Sequence, residues 1–512
     1  MIMKIRFIAC LLLILLSRPT AAQQDDFKIK GFHLDLRIQV MKMPALKAFV
    51  LNLGKHGINT LVMEWEASYP YEKHAVISNS NAYTRKEITD FISYCDSLHI
   101  DVIPLQQSFG HVEYILRHQR YKDLREDQKD YSQVNPTREA ACKALFTDLF
   151  SDMISTHHSK YLHIGGDETY LLGHSPESKA KADSLGKGRL YGDYIKMLCE
   201  LVVKLGKTPL VWADIALKYP DALKGLPKET IFIDWNYGWD LNRFGDHEKL
   251  MQSGFEIWGS PALRSGPDNY YLTDWDKHFN NIRTFIPQAR QMGYKGIVMT
   301  SWSTSGIYDQ VFESATEMTD MVAVRRVYPV SGFDMLVSAY LESLHNKQPL
   351  DIGSFVNDYT RNKFGFTPAQ ARRFYKALTR APYDVSQGRP VGTNIALSAL
   401  LDSARLSGQD LRQLTPAKNK SLWQHYLLMS DIRIFYLACM QVQEVMNSDN
   451  YTADKASMLL RQLQALDPGQ LDQRFGELNK ELLYPSDIAL ENAARNARYQ
   501  SLIAKLTAHA RR

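Results

Sequence analysis

Two adjacent acids, Asp167 and Glu168, are the residues of this chain whose type and setting suggest chemistry most strongly. They end the segment HIGGDE at residues 163–168, in which two glycines precede the acids. Glycine at such a place lets the backbone turn tightly and lets a ligand come close. Because adjacent side chains on an extended backbone point in different directions, the two carboxyls can face different parts of one substrate. The pair is therefore predicted to perform acid–base chemistry rather than to form a solvated turn.

A regular alternation of short apolar runs and amphipathic stretches surrounds this motif, from Phe27 to about Val330. Eight strand candidates, with helical segments between them, predict a (β/α)8 barrel, an α/β fold with a closed parallel sheet. A doubly wound open sheet has the same local pattern, but no strand is followed by a glycine-rich phosphate turn. In a barrel, the motif lies where catalytic side chains lie, at the carboxyl end of the fourth strand. The predicted strands are Ile29–Leu36, Thr60–Trp65, Val102–Gln106, Tyr161–Ile164, Pro209–Trp212, Thr230–Trp235, Phe255–Trp258 and Gly296–Ser301.

Beyond the barrel the strand pattern stops and helical periodicity takes over. The Thr-Pro pair at 367–368 has the N-cap and the first-turn proline that open a helix. Between 428 and 446, apolar residues recur at spacings of four and three, which predicts one buried face on a long helix. We therefore expect a catalytic barrel at 27–330 and an all-α C-terminal region at 331–512.

The N-terminal residues 1–22 have the pattern of a secretory signal peptide. Lys4 and Arg6 precede an apolar run, and small residues at 20–22 form a cleavage site. Cys10 also permits a lipoprotein interpretation, although most of the apolar run follows it. No segment approaches the roughly 18 consecutive apolar residues of a membrane span. We expect an exported chain, in the periplasm, at the cell surface or secreted.

Charge and cysteine content argue against several other classes of function. The net charge of +5 falls to about +2 without residues 1–22, which leaves no electrostatic footprint for nucleic acid. The four remaining cysteines are far apart and form no C-x-x-C pair, so we expect packed thiols and neither a metal site nor a cofactor. An oxidising compartment would allow one disulfide among them.

The segment HIGGDE resembles the signature of glycoside hydrolase family 20, the β-N-acetylhexosaminidases. LDLR near the start, EWEASYPYE after the second strand and VIPLQQSFGHVEYILRH after the third are similar to the hexosaminidase D branch. The resemblance covers about residues 30–310 and is strongest from 58 to 214. It implies an exo-acting retaining hydrolase whose substrate is a glycan with a terminal β-linked N-acetylhexosamine, GalNAc or GlcNAc.

The resemblance also assigns a role to each acid. In family 20 the substrate's own 2-acetamido oxygen attacks C1 and forms an oxazolinium intermediate, whereas a standard retaining enzyme uses a carboxylate nucleophile. By carry-over, Glu168 protonates the leaving oxygen and later deprotonates water, while Asp167 holds the acetamido N–H. The negative charge of Asp167 is expected to raise the pKa of Glu168, which suits a general acid.

Five of the eight tryptophans fall at or near predicted strand ends, as an aromatic sugar pocket requires. Aromatic faces pack on the C–H surfaces of pyranose rings and exclude water. Trp212 and Trp302 match the family best, Trp258 is a further substrate-binding candidate, and Trp235 is also open to a structural role. The five are Trp65, Trp212, Trp235, Trp258 and Trp302.

Polar residues complete the implied substrate site. Tyr237 is expected to donate a hydrogen bond to the acetamido oxygen. His111, in the Phe-Gly-His turn after the third strand, is expected to link the general acid to an acidic partner, and Glu66 is preferred over Glu64 for that partner. Arg37 is expected to bind sugar hydroxyls.

Two departures from the family pattern leave the choice of sugar open. Arg37 lies two residues after Asp35, whereas the family's arginine lies three residues after its aspartate. The residue after Trp302 is not the glutamate often found there. Both differences bear on recognition of O3, O4 and O6. The hexosaminidase D branch favours galactosamine-type sugars, and we adopt that preference as the expectation.

Two other functions fit parts of the pattern. A catalytically silent carbohydrate-binding protein would keep the tryptophans but lose the acid, whereas here both acids are intact. A metal-dependent barrel hydrolase would use His111 and His163, but no His-x-His follows the first strand and no His-Glu-x-x-His occurs. For the helical region, two roles are open: to form a homodimer interface or to cover the barrel.

Overall fold

The computed structural model describes residues 27–266, 268–305, 325–386 and 388–511. The predicted leader at 1–22 therefore lies outside the described residues. Across the described ranges, none of the helices combines the length and the apolar character needed to cross a bilayer.

Eight parallel strands close into a barrel, which confirms the predicted fold. Each strand pairs with the next along the chain, and the eighth pairs with the first. Every predicted strand is present within two residues of its expected bounds. The strands are β1 (Ile29–Asp35), β2 (Thr60–Glu64), β3 (Asp101–Leu105), β4 (Tyr161–His163), β5 (Thr208–Trp212), β6 (Ile231–Trp235), β7 (Glu256–Ser260) and, after a short extra strand β8 (Ala262–Arg264), β9 (Gly296–Ser301).

Helices connect the barrel strands and pack their apolar faces on the outside of the sheet. The second helix illustrates how the sequence specifies these helices. Thr84 and Glu87 form a capping box at its start, and Ile88 and Phe91 lie on its buried face. The connecting helices are α1 (Met43–Lys55), α2 (Arg85–Ser97), α3 (Glu113–Leu116), α4 (Glu139–Ile154), α5 (Pro176–Leu185), α6 (Lys187–Lys204), α7 (Asp214–Lys218), α8 (His247–Met251) and α9 (Trp275–Gln291).

The chain beyond the barrel is helical, as predicted, with short two-stranded pairings beside it. Thr367 caps its helix through a capping box with Gln370, and the long helix buries Leu428, Ile432 and Cys439 on one face. The elements are β10 (Thr304–Ser305), β11 (Arg325–Arg326), α10 (Asp334–His345), α11 (Ile352–Phe364), α12 (Pro368–Leu378), β12 (Val385–Ser386), β13 (Arg389–Pro390), α13 (Leu397–Arg412), α14 (Lys420–Met446), α15 (Ala453–Gln464), α16 (Pro468–Asn479) and α17 (Pro485–Ala510).

The helical region packs directly on the barrel. The hydroxyl of Tyr340 in α10 donates a hydrogen bond of 2.6 Å to the carbonyl of Gly31 in β1. Near the C-terminal end of the region, Leu483 lies just before α17 and forms an isolated β-bridge with Met41 of the barrel. The boundary at residue 330 stays a prediction.

The four cysteines of the described chain, Cys95, Cys142, Cys199 and Cys439, are free and buried. Burial raises the pKa of each thiol to about 12. A protonated, enclosed thiol is a packing group. The expectation of four packed thiols is confirmed.

Candidate active site

A sharp turn beyond β4 brings the two acids to the carboxyl end of the barrel. Gly165 and Gly166 have φ values of 72° and 94°, a region that strongly favours glycine. A Cβ on Gly165 would lie 1.9 Å from the side-chain oxygen of Gln107, so any other residue would displace that side chain. Glu168 itself has a φ of 48°. The two glycines are thus needed for both conformation and space, as their position in the sequence suggests.

His111 lies between the two carboxylates. Its Nε2 is 3.3 Å from Oε2 of Glu168, and its Nδ1 is 3.6 Å from Oδ2 of Asp167. Burial lowers the pKa of His111, but the two negative charges outweigh burial and raise that pKa to about 10. The link from His111 to Glu66 that we expected is absent from the described contacts, because Asp167 takes the place of the second acid.

The pKa values of the two acids move in opposite directions. Burial and the charge of Glu168 raise the pKa of Asp167 to about 6, against the opposing charge of His111. Burial also raises the pKa of Glu168, but His111, Tyr170 and Arg37 together outweigh burial and lower it. The expectation that Asp167 raises the pKa of Glu168 is therefore wrong for this arrangement. The reason is that the cation beside Glu168 favours its ionised form more than Asp167 disfavours it.

A third carboxyl, Asp214, follows β5 by two residues. Its Oδ2 accepts the backbone N–H of Glu168 at 3.0 Å. Burial and the charges of Asp167 and Glu168 raise the pKa of Asp214 to about 8. The hydrogen bond fixes the peptide that carries Glu168 in its left-handed conformation. Asp214 ends the segment PLVWAD at residues 209–214, but nothing in that segment indicates that this residue supports Glu168.

Arg37 lines the active-site cavity despite its shifted position relative to the family. Its backbone N–H and its Nε donate to Oδ1 of Asp35 at 2.8 and 3.2 Å. Its Nη2 donates to Oε1 of Glu64 at 3.1 Å, and its guanidinium carbon lies 5.2 Å from the centre of the Trp302 ring. Glu66 is buried behind it, with Oε1 3.7 Å from the Arg37 Nε, and is not part of the cavity lining.

A cavity of about 380 Å³ opens beside the two acids, and aromatic side chains form much of its wall. Trp212 and Trp302 lie with ring centres 6.0 Å apart, and the indole N–H of Trp302 donates to the hydroxyl of Tyr237 at 2.9 Å. Trp235 and Trp239 extend the same wall. Among the predicted site residues, Arg37, His111, Asp167, Glu168, Trp212, Tyr237 and Trp302 are therefore brought together at one cavity.

Two predicted tryptophans do not reach the cavity. Trp258 is buried inside the barrel toward its amino end, where its indole N–H donates to Glu256 at 2.7 Å and its ring meets Tyr161 at 5.3 Å. Trp65 packs outside the barrel against Phe91, with ring centres 5.9 Å apart, and donates to His157 at 3.0 Å. The substrate-binding role expected of Trp258 is not supported by its position.

Several residues of the cavity lie outside the barrel strands and main helices and were not singled out in the sequence, among them Tyr170, Trp239, Arg243 and Phe244. The hydroxyl of Tyr170 donates to Oε1 of Glu168 at 3.0 Å. Trp239, Arg243 and Phe244 come from the segment after β6 and share the cavity wall. None of these residues belongs to a periodic pattern, so the sequence gives no signal for them.

The described residues include no group of three or more His, Cys, Asp and Glu side chains arranged to hold a metal ion. His163, which the metal-dependent alternative requires, is fully buried inside the barrel, and its Nδ1 accepts the Gly165 N–H at 3.0 Å. Burial lowers its pKa to about 3.

Comparisons with known proteins agree with this geometry. Hexosaminidase D from Bos taurus is 29% identical over 287 residues, which cover 53% of this chain and 83% of that protein. Hexosaminidase D from Homo sapiens is 27% identical over 337 residues, 62% of this chain and 69% of that protein. The crystal structure of a β-N-acetylhexosaminidase from Bacteroides fragilis NCTC 9343 is similar in fold, with a TM-score of 0.50 and 14% identity over 66% of this chain and 70% of that one.

The family model "Glycosyl hydrolase family 20, catalytic domain" matches residues 37–322. That match spans more than half of the chain and includes both acids, the turn that carries them and the aromatic wall. The chain therefore belongs to glycosyl hydrolase family 20, the β-hexosaminidase family that its HIGGDE motif resembles.

Proposed function

We propose that this glycosyl hydrolase is an exo-acting β-N-acetylhexosaminidase that removes terminal β-linked GalNAc or GlcNAc with retention of configuration. The observation that carries the proposal is the position of Asp167 and Glu168, side by side at the carboxyl end of β4 and on the lining of an aromatic cavity. The similarity to proteins named hexosaminidase D supports the same substrate class.

In the proposed reaction, the acetamido oxygen of the bound sugar attacks C1 while Glu168 gives its proton to the leaving glycosidic oxygen. The C1–O bond breaks, the aglycone leaves, and an oxazolinium ring forms. Asp167 in its ionised form accepts the acetamido N–H and stabilises the positive charge on that ring. The Glu168 carboxylate then takes a proton from the water that attacks C1 and regenerates the acetamido group. Two successive displacements at C1 retain its configuration.

Substrate binding itself supplies the protonation states that this reaction needs. Without a ligand the proton is better held by Asp167, whose pKa is raised to about 6, than by Glu168, whose pKa is lowered. A hydrogen bond from the acetamido N–H favours ionised Asp167, and a sugar that covers the partly exposed Glu168 favours its protonated form. The two acids titrate as a pair, so one bound group redistributes their shared proton.

The aromatic wall can hold the acetamido group under the sugar ring. The Tyr237 hydroxyl lines the cavity and accepts from Trp302 at 2.9 Å, so its proton can turn from Thr300 to the acetamido oxygen. Trp212 and Trp302 offer two faces that exclude water from the intermediate. A pinned acetamido oxygen close to C1 turns the attack into an intramolecular step.

Hydrolysis of the two 4-nitrophenyl N-acetyl-β-hexosaminides by the wild type and by Glu168→Gln tests the proposal. We expect wild-type turnover that survives EDTA and is inhibited by an oxazoline-mimicking thiazoline. We expect kcat of Glu168→Gln to fall by about 100-fold or more, because general acid–base catalysis contributes that much. Glu481→Gln, at an exposed position, is the matched control. Sugar binding without wild-type turnover would instead support the catalytically silent alternative.

The preferred sugar, the location and the assembly are further proposals. We propose GalNAc as the better substrate, following the hexosaminidase D resemblance, and the ratio of kcat/KM for the two hexosaminides tests it.

We propose that the chain is exported, so that N-terminal sequencing of the mature protein begins at Gln23. A homodimer formed through the helical region is proposed as well, and light scattering separates it from a monomer.

A further inference from the structure

Two basic side chains on the cavity lining, Arg243 and Lys277, are not used by the reaction derived above. The other two basic residues of the lining are matched by acids, since Arg37 pairs with Glu64 and His111 lies between the two active-site carboxylates. A cavity that binds a neutral sugar has no evident need of two more cations.

Neither Arg243 nor Lys277 forms an ion pair with an acidic side chain of the described chain. The acids nearest to Lys277 have other partners. Asp274 caps α9 by accepting the backbone N–H of Lys277 at 3.1 Å, and Asp268 binds His278 at 2.7 Å. Burial lowers the pKa of Lys277 against the opposing charges of Asp274 and Asp268, and the nearby charge of Arg243 lowers it slightly further. Repulsion between the exposed Arg243 and the half-buried Lys277 is relieved when an anion binds between them.

The surroundings hold both side chains ready for a ligand. The Arg243 guanidinium carbon lies 4.5 Å from the centre of the Trp239 ring, a cation–π contact that restricts its freedom while leaving its donors available. Lys277 is half-buried in the first turn of α9. A rigid guanidinium fork beside an ammonium suits an oxyanion with several acceptor oxygens.

We propose that Arg243 and Lys277 bind an anionic substituent of the glycan, a sulfate ester or a carboxylate carried next to the scissile bond. The inference rests on the proposed function, because it places the anion on a substrate whose terminal N-acetylhexosamine occupies the same cavity. Charged and neutral forms of one substrate are then distinguished by these two side chains, while the two acids perform the same chemistry on both.

Two pairs of substrates, each differing by one charge, test the inference. The first pair is 4-nitrophenyl N-acetyl-β-glucosaminide with and without a 6-sulfate. The second is a disaccharide of N-acetylhexosamine linked β to glucuronic acid and its counterpart linked to glucose. We expect the wild type to favour the charged member of at least one pair by about tenfold in kcat/KM, and the pair that shows it identifies the anion as sulfate or carboxylate.

The double variant Arg243→Gln/Lys277→Gln is expected to abolish that preference by lowering kcat/KM on the charged substrate much more than on the neutral one. Lys228→Gln removes an exposed charge outside the cavity and should leave the preference intact. A wild type with no preference for either charged substrate, or an equal loss on both members of a pair, would overturn the inference while leaving the proposed function standing. Absence of turnover on every substrate would instead remove the proposed function and this inference with it.

Discussion

At the scale of single residues, His111 couples the two acids of the site. Its pKa is raised to about 10, so it stays charged at neutral pH and lowers the pKa values of both Asp167 and Glu168. Asp167 must be ionised to accept the acetamido N–H, and its own raised pKa of about 6 places the acidic limb of the pH profile near that value. The imidazolium thus keeps Asp167 ionised to lower pH and extends activity on the acidic side.

We expect His111→Gln to move the acidic limb of kcat/KM to higher pH by about one unit. The sign follows from the charge: without the cation, Asp167 keeps its proton to a higher pH, and the fraction ready to accept the acetamido N–H is lost earlier as pH falls. Profiles of kcat/KM against pH for this variant and for His158→Gln measure the shift. His158 is exposed and pairs with Asp96 on the surface, so its variant should follow the wild type. An unshifted limb in His111→Gln would contradict the assignment.

Asp214 is expected to act as a positioning residue through the backbone of Glu168. Its pKa is raised to about 8, so it is largely protonated at neutral pH, and an asparagine would preserve both its neutral state and its acceptor oxygen. We therefore expect Asp214→Asn to keep most of kcat and Asp214→Ala to lose about tenfold or more, because the Glu168 N–H then has no acceptor. Steady-state kinetics decide, and similar losses in both variants would show that charge matters rather than position.

At the scale of the elements, the turn after β4 depends on space as well as on backbone conformation. Gly165 and Gly293 have nearly equal φ values of 72° and 75°, but a Cβ on Gly293 would meet nothing within 4 Å. On Gly165 it would displace Gln107, whose Nε2 donates to Glu64 at 2.9 Å. The same substitution at the two positions therefore separates crowding from backbone strain.

Gly165→Ala is expected to lower kcat by about tenfold or more and to lower the free energy of unfolding beyond the loss in Gly293→Ala. The control should lose only about 1 kcal/mol, the cost of a left-handed alanine. Chemical denaturation and kinetics on both variants provide the comparison. If both variants behaved alike, the contact with Gln107 would be irrelevant to the site.

The elements also show where sequence patterns stop being informative. Strand positions follow from apolar periodicity. Whether a side chain reaches the cavity, however, depends on the residue at which its strand ends. Because β7 runs on to Ser260, Trp258 lies at the middle of its strand and not at the rim. Trp65 follows β2 directly but faces outward toward α2. Trp239 and Arg243 lie in a loop whose path no local pattern determines, so the charged part of the cavity could not be predicted.

At the scale of the whole molecule, buried acidic side chains on the last helix anchor it to the barrel. Glu491 in α17 is fully buried and pairs with Arg326 at 2.8 Å. On the same helix, Asp487 accepts the backbone N–H of Val40 at 3.2 Å and an amide N–H of Asn81 at 2.8 Å. The helical periodicity of this region was predictable, but its docking was not, because charged residues on a helix normally indicate its solvent face.

We expect Glu491→Ala to lower the free energy of unfolding by about 2 kcal/mol, since it leaves the largely buried Arg326 guanidinium without its hydrogen-bond acceptor. Glu481→Ala, at an exposed position nearby in sequence, should change that free energy by less than about 0.5 kcal/mol. Urea titrations of the two variants give both values. Equal stability of the variants would mean that the helix is held by its apolar contacts alone.

The comparison of Asp167→Asn with the wild type on two substrates, one with and one without the 2-acetamido group, tests the participation of that group most directly. We predict that kcat/KM falls by about 100-fold or more on the N-acetylhexosaminide, because an amide cannot balance the positive charge of the oxazolinium ring. On the matched glycoside with a free 2-hydroxyl, whose slow hydrolysis forms no such ring, the loss should be small. An equal loss on both substrates would contradict catalysis by the substrate's own amide.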